Sequence, residues 1–237
     1  MAGEIHRPGW CKVKRYLLLG LVVILVLLGY GVFRFPGTLN SPSGLIGDCI
    51  ILIIYGLVIW FWFPILANQN DRILGAGYKI GILIGFIFAC EMILEYILLP
   101  TDNTQMGLIE YGSVLTIFFI VGTWITYQTG RFRNGVFTAV VGAMLGSMIW
   151  LIAVLTIFYL FHGTPQQNQV FHAEGNFYDF AQSGMTDFDA FIMQDFWGAG
   201  FFHSILLPLL AGILGSVGSL IGIFFVWLRE ANWNKIK

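Results

Sequence analysis

Two glutamates four residues apart, Glu91 and Glu95, stand inside an otherwise apolar run of this chain. At helical spacing they share one face. Two more carboxylates, Asp48 and Glu110, open neighbouring apolar runs. Ionisable side chains within a membrane span face the bundle interior or water, where they pair, carry a proton or hold a cation. No Lys or Arg lies mid-run to neutralise the pair, so a proton or a bound cation is the expected compensation. Glu91, Glu95, Glu110 and Asp48 are therefore the candidate proton- or cation-binding residues. The competing expectation is structural: a neutral Glu91 hydrogen-bonded to a neighbouring helix, with Glu95 at the wet interface.

Other reactive side chains lack a chemical pattern. His162, His172 and His203 are scattered, without ligand spacing, so no metal is assigned. Cys11, Cys49 and Cys90 form no CxxC, and neither a disulfide framework nor a zinc site is expected. The HExxH, GxxxxGK[ST] and GxSxG patterns do not occur. No catalytic residue and no cofactor is assigned.

The elements that must position the carboxylates follow from composition. Of 237 residues, 57% are hydrophobic and 11% are charged. A soluble domain carries about 25% charged residues, so a water-soluble fold and a disordered chain are both excluded. The net charge of −1 suggests no nucleic-acid partner. A spanning helix needs about 20 apolar residues. Six such runs are read, over roughly 16–33, 44–66, 78–99, 108–127, 135–161 and 200–228, with polar or Pro/Gly joints between them. The expectation is an all-α, polytopic membrane protein, with residues 1–237 forming one integral membrane domain. The first run has the length of a retained signal anchor rather than a cleaved peptide.

Basic residues set the orientation. Arg7, Lys12, Lys14, Arg15, Arg72, Lys79, Arg131, Arg133, Arg229, Lys235 and Lys237 fall on one side, and only Arg34 on the other. Both termini are expected in the cytoplasm, and the membrane is expected to be the cytoplasmic (plasma) membrane. The four carboxylates then gather toward the outer leaflet.

Small residues at four-residue spacing let helices approach closely in lipid. The third run carries Gly77, Gly81 and Gly85. The fifth carries Gly135, Ala139, Gly142, Gly146 and Ala153, and the sixth carries Gly212, Gly215, Ser216, Ser219 and Gly222. Gly81, Gly85, Gly142, Gly146, Gly212, Gly215 and Ser219 are the assigned packing positions. Spans three, five and six are expected at the tight centre, with one, two and four peripheral.

Residues 162–199 form the last outer loop, acidic and aromatic, with no Lys or Arg. Thr186 and Asp189 resemble a capping box, and apolar residues follow at helical spacing. This predicts a short amphipathic helix over 187–197, ended by a turn at Gly198-Ala199-Gly200.

The absence of catalytic and cofactor motifs, together with the packing stripes, points first to a non-catalytic accessory, assembly or structural subunit of a membrane complex. The alternative is a small proton- or cation-coupled transporter or channel. Glu91 and Glu95 would be its coupling site, with Glu110 and Asp48 in an outer vestibule. Expected partners are the lipid bilayer and other membrane subunits or a second copy.

Overall fold

The structure is a computed structural model that describes residues 8–65, 71–98 and 104–233. The basic residues Arg7, Lys235 and Lys237 lie outside them, as do the joints at Asn68-Gln69-Asn70 and Pro100-Thr101-Asp102-Asn103. Among the described residues every regular element is helical. Helix α1 covers Pro8–Arg34 and is followed by a 3-10 turn, Pro36–Asn40. Helix α2 covers Ser43–Leu57 and passes into a π-helical turn, Val58–Trp62. Helix α3 covers Asp71–Ile93 and likewise ends in a π-helical turn, Leu94–Leu98. Then come α4, Thr104–Thr129, and α5, Phe132–Phe161. Two short helices follow, α6 over Pro165–Ala173 and α7 over Asn176–Ser183, and the chain ends in the long α8, Phe188–Trp233.

Six helices are long and apolar enough to cross a membrane: Val13–Arg34, Ser43–Ile65, Ile73–Leu98, Gln105–Thr129, Phe132–Phe161 and Phe188–Ala231. Each contains or closely matches one of the six runs read from sequence. The fifth is the hub, since 72% of its apolar window is buried against 28% to 33% for the others. Its small residues explain this position. A Cβ added at Gly81 of α3 would sit 2.9 Å from the Gly142 carbonyl of α5, and one at Gly146 would sit 2.6 Å from Ile84 Cγ2. Real Cβ contacts under 3.0 Å essentially never occur, so these backbones approach only because the side chains are absent.

Span four is not peripheral. It packs along α8 more extensively than any other pair except α3 with α5. A Cβ at Gly222 would lie 2.6 Å from the Thr123 carbonyl, Gly122 faces Gly215, and the Ser219 hydroxyl donates to the Gly122 carbonyl at 3.3 Å. Gly212 takes no part in this approach, because a Cβ there meets only Val140 at 3.8 Å. Gly122 has Thr126 four positions on but no glycine or alanine at that spacing, which is why the stripe criterion overlooked this face.

The segment before the last span also differs from expectation. Residues 188–197 are helical, but they are the first turns of α8, which continues without a break through Gly198, Ala199 and Gly200. A glycine inside a helix costs about 1 kcal/mol. Here that cost is offset by closeness, because Gly200 lies against Asp48 of α2 and Leu151 of α5. The apolar face of this segment enters the core, where Ile192, Met193 and Trp197 are fully buried. The preceding loop folds as α6 and α7, each bounded by left-handed glycines: Gly163, Gly175 and Gly184 have φ of 76°, 78° and 73°.

Pro208 lies within α8. A proline has no N–H, so it leaves the carbonyl four residues back without its helical donor. That carbonyl belongs to Ser204, and Tyr55 of α2 supplies the missing donor, its hydroxyl lying 2.7 Å away. The same hydroxyl lies 3.0 Å from Ser147 Oγ of α5. A break in one helix is thus repaired by a second helix and tied to a third.

Candidate functional site

Glu91 lies in the last turn of α3, and Glu95 in the π-helical turn that follows. π-Turns insert an extra residue and re-aim the side chains beyond them. Here the turn keeps Glu95 within hydrogen-bonding reach of the Glu91 carboxyl and sends Tyr96 into the core. Glu110, in the second turn of α4, lies within Coulombic range of both Glu91 and Glu95. It is 7% exposed, and its Oε1 has no hydrogen-bond partner. Glu174, the residue capping the C-terminus of α6, is exposed and also acts electrostatically on Glu91.

The charges that act on Glu91 are all carboxylates. Two carboxyl groups form a hydrogen bond to one another only when at least one of them holds a proton, and such a pair titrates as a unit. The cluster grades inward from exposed Glu174, through part-buried Glu91 and Glu95, to buried Glu110.

Aromatic and imidazole groups frame the carboxylates. The Tyr96 hydroxyl donates toward Glu174 Oε1 at 3.5 Å, and its ring packs on Phe196 of α8. Tyr111, next to Glu110, hydrogen-bonds His203 Nε2 of α8. His203 Nδ1 lies 2.8 Å from the Ala199 carbonyl, which can only accept, so the Nδ1 proton is the donated one. In the neutral ring Nε2 then accepts from Tyr111. The imidazole stacks on Trp150 with ring centres 4.2 Å apart. His203 therefore stands beside the cluster, paired with Tyr111 and Ala199 and not with a carboxylate.

The structure brings together three of the four carboxylates expected from sequence and separates the fourth. Asp48 is not among the charges that act on Glu91. It is not at an outer vestibule either, since it is 0% exposed and lies in the seam between α2, α5 and α8. Its place near the start of a span suggested a wet position. Instead the 3-10 turn and the first turns of α8 cover that end of α2: Gln194 accepts from Gly44 N at 2.8 Å and donates to the Thr38 carbonyl at 2.9 Å.

The three histidines stand apart from one another. His162 pairs with Asp189 at 3.5 Å, His172 packs on Phe177, and His203 belongs to Tyr111. Among the described residues no three His, Cys, Asp or Glu side chains converge as a metal site would require. Sequence reasoning left Glu174, Tyr96 and Tyr111 out of the site. The only signal for Glu174 was the acidity of its loop.

Comparison with protein-family models, with curated proteins and with solved structures finds no match to this chain.

Proposed function

We propose that this chain is an integral protein of a cytoplasmic membrane, with both termini in the cytoplasm, that takes up and passes protons through Glu91, Glu95 and Glu110. It would act as a small proton-coupled transporter or channel. One observation carries the reading: Glu91 lies beside Glu95 and near Glu110 and Glu174, so every charge that acts on it is a carboxylate. That arrangement holds a proton, whereas a metal cation would require several oxygens directed at one point. The exposed Glu174 offers an entry from the aqueous side, and the Tyr111–His203 pair lies next to Glu110 on the side of α8. Under the orientation set by the basic residues, this entry faces outward.

The purified chain in liposomes containing a pH-sensitive dye tests the reading. Proton flux driven by an imposed gradient should be lost in Glu91→Gln and Glu95→Gln while both variants remain folded. Undiminished flux in Glu91→Gln would remove Glu91 from the site.

A second reading, that of an assembly subunit within a larger membrane complex, is supported by a separate feature. An apolar groove runs between α4 and α8, lined by Phe119, Ile120, Thr123, Trp124, Tyr127 and Phe225. It suits the side of a helix from another subunit. Native mass spectrometry after gentle extraction tests this, and a chain recovered only alone or as a homo-oligomer would count against it.

A further inference from the structure

Asp48 is the most isolated ionisable group in the described bundle. It is 0% exposed, and neither carboxyl oxygen has a hydrogen-bond partner. Gly200 of α8 leaves room for it, as a Cβ there would sit 3.1 Å from one oxygen and 3.3 Å from the other. Leu151 of α5 closes the same space. The groups able to titrate around it are few. On α2 these are Cys49, beside it, and Tyr55, two turns on, whose hydroxyl is engaged with Ser147 and Ser204. On α8, His203 lies one turn beyond Gly200 and is engaged with Ala199 and Tyr111. Leu151, the α5 residue against it, does not ionise, and no charged group acts on Asp48.

An ionised carboxylate with neither hydrogen bond nor counter-charge is untenable in an apolar interior, and it neutralises instead. A second buried polar group on α8 also lacks a partner. The indole N–H of Trp197, also 0% exposed, lacks an acceptor and lies one turn before Gly200 on α8. The Trp197 ring extends toward Gly31 of α1, so this donor does not reach Asp48, and the carboxyl is left without a partner.

We propose that Asp48 is a second proton-binding site, buried in the seam of α2, α5 and α8 and separate from the glutamate cluster, and that it holds its proton in the packing seen here. Loss of that proton requires the seam to admit water or to move, because no group in place compensates the charge. The polar contacts of Tyr55 with Ser147 and Ser204 continue the same seam toward Pro208. This proposal does not depend on flux through Glu91.

Infrared spectroscopy of the full chain in lipid tests it. In a Glu91→Gln/Glu95→Gln/Glu110→Gln background, the C=O stretch of a protonated carboxylic acid should persist at neutral pH. It should shift when aspartate is carboxyl-labelled with carbon-13, and disappear on adding Asp48→Asn. Should Asp48→Asn fail to fold, Asp48→Glu keeps a carboxyl in place, and its band should no longer respond to the aspartate label. A labelled protein that shows only ionised aspartate at neutral pH would overturn the proposal. So would a protonated-aspartate band that survives both substitutions. Either result is distinct from the liposome experiment, which reads proton movement and not the charge state of Asp48.

Discussion

Tyr55→Phe should destabilise the bundle through a carbonyl in another helix. Tyr55 is 4% exposed, and its hydroxyl lies 2.7 Å from the Ser204 carbonyl and 3.0 Å from Ser147 Oγ. Removing the hydroxyl affects the two partners unequally. Ser147 keeps its own bond to the Met144 carbonyl at 3.0 Å. Ser204 keeps none from the helix, because Pro208 has no N–H to offer. A buried carbonyl left unpaired costs about 1–3 kcal/mol, so a loss of about 2 kcal/mol is expected. At about 1.4 kcal/mol per decade, this is roughly a 30-fold shift in the folding equilibrium. Pro208→Ala restores a helical N–H to Ser204, and in that background Tyr55→Phe should cost about 1 kcal/mol or less. Equilibrium unfolding in mixed detergent micles of the four proteins in this cycle gives the coupling between residues 55 and 208. Equal cost of Tyr55→Phe in both backgrounds would refute the argument, since the penalty would then owe nothing to the proline.

Further outcomes follow from the packing and the caps. Gly222→Ala drives a Cβ to 2.6 Å from the Thr123 carbonyl, and overpacking of this kind costs about 1–3 kcal/mol. Gly212→Ala, which meets only Val140 at 3.8 Å, should be nearly neutral, and thermal melts of the two variants compare them. Thr164 caps α6 by accepting from Gln167 N at 3.3 Å, so Thr164→Ala should cost the helix about 1 kcal/mol. Hydrogen exchange of residues 165–173 should then quicken by about fivefold, with little change in α5. Single cysteines placed at Arg131 and Arg229 should react with an impermeant thiol reagent only from the cytoplasmic side, and labelling from outside would reverse the orientation.

The spans were legible because a membrane helix is written in one variable, sustained apolarity, interrupted where the chain must turn. The central place of α5 was legible too, because its small residues recur along one face. Pairing was harder to read. Gly122 and Thr126 are a single small-residue pair rather than a stripe, and only the three-dimensional bundle gives them their partners on α8. Gly198-Ala199-Gly200 reads as a turn in water. Between helices Gly200 gives a place for Asp48, and α8 continues through all three residues without a break.

For the site, the four-residue spacing of Glu91 and Glu95 carried real information, and so did the position of Glu110 at the start of the next span. Nothing in the sequence separated Asp48 from them. All four carboxylates lie near the same ends of their spans, and only helix order around the bundle decides which ones meet. Glu174 was hidden for the complementary reason: its loop looked uniformly acidic, and only the fold of α6 against the end of α3 selects one residue from it.

The central claim is that the Glu91–Glu95 pair carries protons through this protein. Dye-reported proton uptake into liposomes, compared between the unsubstituted chain and a folded Glu91→Gln/Glu95→Gln variant, tests it most directly. The account predicts gradient-driven uptake in the first and the background rate of empty liposomes in the second. Equal uptake by both proteins, or none above empty liposomes in either, would contradict it.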